Sequence, residues 1–285
     1  VSAPRPNVRR GPRRRRSGRR RSGRRRSGSG GLIVTTVVAA VLAIGVVGSL
    51  VALALGAGST PPRADAVPGM TDPIVESSRI DAVPMPADRS ISSLADPDWV
   101  AVIAGRTGIP IRPLSAYAGA ALRLADEQPG CHLEWTTLAA VGRVETVHAT
   151  IFDSVLDDDG RSSPAIVGIA LDGDGVLAVD DTDGGALDGD TRWDRAVGPM
   201  QFIPSTWALV GADGNADGVA DAQQIDDAVL TAGRYLCAHE RDLSTATDWV
   251  AAVRSYNPNT EYNDDVADFA DRYARSANGE DGREQ

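Results

Sequence analysis

Residues 133–148 read LEWTTLAAVGRVETVH. At the helical period Leu138, Val141 and Glu145 fall on one face with Trp135 at its upper edge, so a single carboxyl group ends an otherwise apolar stripe. Apolar surroundings disfavour the charged form of a carboxylic acid and raise its pKa, which is what a general acid needs near neutral pH. The competing reading is a glutamate that rims the helix and reaches water. The helix alone does not choose between them.

Three further stretches carry chemistry-bearing side chains. Residues 196–207 read AVGPMQFIPSTW, a Gly-Pro turn and then Phe-Ile-Pro. This places Gln201 on a rigid loop, where its amide can both donate to and accept from a sugar hydroxyl or an N-acetyl group; it is also a passable structural turn. Asp213, Asn215, Asp217 and Gly218 follow the first half of a calcium loop, with the Val219 carbonyl and Asp221 as further oxygen donors. Position twelve is Gln224 where a bidentate glutamate is usual, so a modest affinity is expected, and a solvated Asp/Asn/Gly turn is the equal alternative. The DGDG at 172–175 lacks an oxygen ligand at position five and reads as turn chemistry.

The elements that must hold these groups are mainly helical. Patterns predict helices over Asp98–Arg106 and Pro113–Glu127, the latter with Leu114, Tyr117, Ala121 and Leu124 inward and Pro113 in its first turn. Residues 150–190 are Asp- and Gly-rich and suit short strands or ordered loops. Helices return with Ser205 capping a short one to Val210 and Asp226 capping another to about His239, with Val229, Ala232 and Leu236 inward. Thr247 is expected to cap Asp248–Tyr256, and Tyr262–Arg275 carries Tyr262, Val266, Phe269 and Tyr273 on one face.

The first 31 residues hold 13 arginines and no acid; removing them leaves 16 arginines against 39 acidic residues, a net of −23. Two such parts belong in different surroundings. Arginine clusters spaced by Ser and Gly cannot fold on themselves. Leu32–Leu55 has no charge in 24 residues, long enough to cross a bilayer core of about 30 Å and too long for an ordinary signal-peptide core. The charge asymmetry puts the N-terminus in the cytoplasm and everything after Leu55 outside, with the arginines against anionic lipid and no nucleic-acid partner expected. A Pro-rich linker over 56–95 follows, then a folded domain over 96–276 and a loose tail over 277–285. Only Cys131 and Cys237 are present; outside the membrane a disulfide is the default, with a nucleophilic cysteine beside His132, His148 or His239 as the competitor.

GRVETVH around Glu145, DTDGGALDGD at 181–190, GPMQFIPSTW, DGNADGVAD, YLC at 235–237 and YNPNTEY at 256–262 occur in an order that resembles the membrane-bound type B lytic murein transglycosylases. The resemblance covers about Ala95 to Tyr273 and implies a mainly α, α+β lysozyme-like extracytoplasmic domain behind a single N-terminal transmembrane helix. It implies Glu145 as catalytic acid and base, and Gln201, Tyr256, Asn257 and Tyr262 lining the cleft for peptidoglycan glycan strands. Ala149 stands where such proteins often have glycine. By the resemblance, the acid cleaves the β-1,4 bond after N-acetylmuramic acid and the sugar's own C6 hydroxyl closes a 1,6-anhydro ring. No cofactor is required, and structural calcium in the Asp213–Asp221 loop stays open. A non-catalytic wall-binding scaffold and a hydrolytic muramidase are the alternatives, the latter needing a second acid among Asp181, Asp183, Asp188 and Asp194.

Overall fold

The computed structural model describes residues 89–280. The arginine segment, the Leu32–Leu55 span and nearly all of the linker lie outside the described residues, as does the tail beyond residue 280. Among the described residues no helix is long and apolar enough to cross a membrane.

The first helix, α1 (Pro97–Thr107), starts where Asp96 accepts the N–H groups of Asp98 and Trp99 and stops at Gly108, whose left-handed φ of 73° a glycine adopts without a side-chain clash. In α2 (Ile111–Glu127), Pro113 lies in the first turn, where its missing N–H costs nothing, and Leu114, Tyr117, Ala121 and Leu124 are all buried as the period requires. Next comes α3 (Trp135–Thr146), which carries Glu145 and is buried along most of its length.

An irregular lobe follows. Its strands are short: β1 (Val155–Leu156) pairs antiparallel with β2 (Ser162–Ser163), and β3 (Val167–Ala170) with β4 (Arg195–Val197). Aspartate side chains do much of the work of holding the connecting loops. Asp181 accepts three backbone N–H groups, from Asp183, Gly184 and Gly185, and the buried Asp194 binds both the N–H and the hydroxyl of Thr182.

The second helical half is α4 (Pro204–Val210), α5 (Ile225–Leu236), α6 (Ala246–Tyr256) and α7 (Thr260–Ala277). Three expected caps differ. Ser205 sits inside α4, which starts without a side-chain cap. Gln224 rather than Asp226 caps α5, because Asp226 is drawn into a two-pronged pair with Arg112 of α2. Thr245 rather than Thr247 caps α6, accepting from Asp248 N–H. The inward residues stand: Val229, Ala232, Leu236, Tyr262, Val266 and Tyr273 are buried and Phe269 packs against them.

The core runs between these halves. Helix α7 lies along α3, and α2 packs on both α3 and α5. Cys131, just before α3, is joined to Cys237 at the end of α5 with their Cα atoms 5.5 Å apart, so the cysteines form the expected disulfide. Its closed loop of about a hundred residues makes it worth up to about 4.7 kcal/mol on the chain-entropy model.

Candidate active site

Glu145 occupies the last turn of α3 and is only 6% exposed. Of the two readings open at the sequence level, the buried one holds. Loss of hydration pushes its carboxyl up to about 8, a rise limited by the hydrogen bond that Tyr262 Oη donates to Oε1 at 2.7 Å. Near neutral pH the group is mostly a protonated acid whose conjugate base already has one donor in place.

The turn between α6 and α7 delivers the tyrosines. Tyr256 ends α6; Asn257 stops the helix, and its Oδ1 accepts Asn259 N–H while Asn259 caps α7 by accepting Tyr262 N–H. Asn263 closes the turn from the other side by donating to the carbonyls of Asn257 and Asn259. Tyr256 packs edge-on against Phe202 and Tyr235, and its hydroxyl donates to the Met200 carbonyl at 2.7 Å. Burial first, and then the charge of Glu145, hold the hydroxyls of Tyr256 and Tyr262 well above the usual phenol range, so both stay donors.

Thr146 fixes the remaining wall. Its hydroxyl donates to the Pro199 carbonyl at 2.7 Å and accepts Ala149 N–H at 2.9 Å, tying the end of α3 to the 198–201 loop. A hydroxyl directly after the acid was visible in the sequence; its partner, 53 residues away, was not. Beyond it the chain turns through three left-handed residues, Val147, His148 and Ala149, with φ of 53°, 61° and 66°. Each costs roughly 1 kcal/mol without a glycine, and Ala149, fully buried, thereby holds the backbone shape a glycine would adopt freely.

That turn inserts His148 between two hydroxyls, Tyr117 Oη at 3.1 Å from Nδ1 and Tyr273 Oη at 2.9 Å from Nε2. Burial, aided by the charge of Arg143, drives its imidazole down to about 3. It is therefore neutral, and it links α2 and α7 at the end of the helix that carries the acid. The sequence marked His148 only as one of three histidines; its burial between two tyrosines depends on helix packing.

Gln201 is buried and left-handed, with φ 49°; its Nε2 donates to the carbonyls of Gly198 and Ala196 within its own loop. Half of this amide serves the loop's shape, and Oε1 faces Gly168 of β3. The structure thus brings Glu145, Tyr256, Tyr262 and the 198–201 loop together, with Asn257 shaping the turn that places the two tyrosines.

The Asp213–Asp221 loop is self-contained. Asp213 accepts the N–H groups of Asp217 and Gly218, Asn215 and Asp217 bond each other, and Asp221 pairs with Arg161. Gln224 accepts Asp227 N–H. Positions nine and twelve of a calcium loop are therefore held by protein groups. Among the described residues the carboxylates that gather within 4.8 Å of one another are Asp181, Asp183 and Asp194, in the other Asp-rich loop.

Residues 178–282 match the family model SLT_2, a Transglycosylase SLT domain. The match supports the lytic transglycosylase family and, with the mainly helical fold, an enzyme that acts on peptidoglycan. It contains Gln201, Tyr256, Asn257 and Tyr262 but begins after Glu145. The acid is thus tied to the matched stretch by geometry, through Tyr262 and through Thr146. No curated protein and no solved structure matches the chain.

Proposed function

We propose that this chain is a peptidoglycan lytic transglycosylase of the membrane-bound type B kind, in which Glu145 alone serves as acid and base. The observation that carries the reading is the buried Glu145 carboxyl with a tyrosine hydroxyl donating to it. The protonated acid gives its proton to the oxygen leaving C1 of N-acetylmuramic acid as the β-1,4 bond to N-acetylglucosamine breaks. The carboxylate so formed, with Tyr262 donating to Oε1, takes the proton of the C6 hydroxyl of the same muramic acid. That oxygen attacks C1 and closes the 1,6-anhydro ring, and the acid is regenerated.

A single carboxylate suits this route, because water is not the acceptor and no second acid has to position it. The side chains a muramidase would recruit are engaged elsewhere. Asp181 and Asp183 hold N–H groups of their own loop, Asp188 holds those of Asp190 and Arg195, and Asp194 holds Thr182.

In the cell, Leu32–Leu55 would anchor the chain in the membrane with residues 1–31 in the cytoplasm and the catalytic domain facing the wall. Calcium enters this reading only as a low-affinity structural ion that Asp213, Asn215, Asp217, the Val219 carbonyl and Asp221 would hold. Asp221 would first have to release Arg161, and catalysis needs no such ion.

The test is mass spectrometry of the products released from purified peptidoglycan by the full chain in detergent, beside Glu145→Gln. Muropeptides lighter by one water than the reducing-end form, made by wild type and not by the variant, support the proposal. Hydrated ends point instead to a muramidase, and glycan binding without products from either protein points to a scaffold.

A further inference from the structure

The turn that follows the acid is strained and has to be held. Val147, His148 and Ala149 are all left-handed, a conformation that residues with side chains keep only where the surroundings enforce it, and one that collects at working sites. Backbone bonds supply part of the hold: Val147 N–H reaches the Arg143 carbonyl at 3.0 Å and His148 N–H the Gly142 carbonyl at 2.9 Å. Thr146 fastens one side of the turn to the 198–201 loop. On the other side the fastening is the His148 imidazole, a titratable group that the proposed chemistry does not use.

That imidazole completes a chain across three helices, from Tyr117 on α2 through the end of α3 to Tyr273 on α7. Tyr117 is completely buried, and among the described residues its hydroxyl has no other hydrogen-bond partner. Its proton therefore goes to Nδ1, because the opposite direction would leave a buried donor unsatisfied. His148 is then protonated at Nε2 and donates to Tyr273, which is 5% exposed and can donate its own proton to solvent. Arg143 is the charged group facing the ring, and it disfavours a second proton there. Both ends of the chain lead to the acid. A methyl group placed on Gly142, one turn before Glu145, would come within 2.1 Å of Tyr117 Oη, so this phenol rests directly on the backbone of α3. At the other end, the helix that carries Tyr273 also carries Tyr262, the donor to Glu145.

We propose that His148, held between Tyr117 and Tyr273 in its Nε2-protonated form, is a positioning residue for Glu145: it pins the turn after α3 so that the carboxyl stays enclosed and directed at Tyr262 Oη. Its part in catalysis rests on the transglycosylase reading; its part in setting the state of the carboxyl does not. Glu145 and His148 lie on either side of the end of α3, so a turn that relaxes takes the last turn of the helix with it. Water then reaches the carboxyl, whose other ionisable neighbours are Tyr256 and Tyr262. Burial is what keeps the proton on Glu145 near neutral pH, so hydration turns the acid into a carboxylate before the reaction begins. Displacing the group from the oxygen it must protonate costs rate rather than affinity.

The experiment follows Glu145 itself, by difference infrared spectroscopy of the full chain in detergent with Glu145→Gln as the blank, beside kcat and KM on purified peptidoglycan. In wild type the carboxyl band should titrate at about 8. In His148→Ala the midpoint should fall toward 4.5 and the basic limb of the rate profile with it, while kcat drops about a hundredfold and KM changes little. His148→Gln, which offers one donor and one acceptor, should restore most of both. Tyr117→Phe keeps the ring and removes one link; it should move the midpoint the same way by less, and should add little to His148→Ala because the two act through one chain. It also carries the test if His148→Ala does not fold. Nitrogen-15 NMR of the His148 ring should find the proton on Nε2. Folded His148→Ala or Tyr117→Phe protein whose Glu145 midpoint stays at the wild-type value would overturn the proposal, whatever its melting temperature, and so would a proton on Nδ1. A wild type that titrates as expected yet releases no products would count against the transglycosylase reading alone.

Discussion

Tyr262 Oη donates to Glu145 Oε1 across 2.7 Å, joining the first turn of α7 to the last turn of α3 over 117 residues of chain. The bond favours the carboxylate, whereas burial favours the acid, and burial dominates. Tyr262→Phe removes the opposing influence. The pKa of Glu145 should rise above about 8, moving the basic limb of the kcat/KM profile to higher pH. At the same time kcat should fall about tenfold, because the carboxylate formed on proton transfer loses its donor. A pH–rate series on both proteins checks the two effects together; an unmoved limb would falsify the electrostatic account.

The raised pKa of Glu145 has a stability counterpart. Between the ordinary glutamate value near 4.5 and about 8 the folded chain binds more protons than the unfolded one, so this group's contribution declines as pH rises through that window. Glu145→Gln removes the decline. The variant should match wild type near pH 4 and exceed it by a few kcal/mol above pH 8, a difference read from denaturant midpoints at the two pH values.

His148 acts with the opposite pH sense. Its imidazole titrates near 6.5 when unfolded and near 3 when folded, so as pH falls from 6.5 the unfolded chain takes up a proton that the folded chain refuses. Stability should drop over that range. In His148→Gln, which keeps one donor and one acceptor for Tyr117 and Tyr273, the slope should flatten, leaving a nearly constant cost of about 1–2 kcal/mol.

Thr146→Val keeps the shape of the side chain and removes the hydroxyl that donates to the Pro199 carbonyl and accepts from Ala149 N–H. Two buried backbone groups lose their partner, which costs about 2–3 kcal/mol. The 198–201 loop also loses its tie to the acid's helix, so kcat should fall more than stability alone explains. Thr146→Ser, which restores the hydroxyl, should recover most of both, as activity assays and thermal melts would show.

Removing the Cys131–Cys237 bond frees a loop of about a hundred residues in the unfolded chain. The double alanine variant should lose up to about 4.7 kcal/mol. Wild type treated with reductant should melt at a correspondingly lower temperature; an unchanged melt would show that strain or residual structure cancels the entropy.

The amino-acid sequence by itself determined the helices, their inward faces and the acid at the end of an apolar stripe, and it made a disulfide the default for its two cysteines. Each follows from local periodicity, from composition, or from there being only one pair to make. It left open whether Glu145 faced water, because a helical stripe does not say what packs against its last turn. The tertiary structure decided that, by laying α7 along α3 and bringing a phenol from residue 262 to the carboxyl of residue 145. The same packing moved the caps: Asp226, a good N-cap in isolation, pairs with Arg112 of another helix and leaves the cap to Gln224. It also turned half of the Gln201 amide into its own loop and placed His148 between two tyrosines. These contacts join residues far apart in the chain, and their geometry is set by how whole helices bury their faces against one another, which no local pattern encodes.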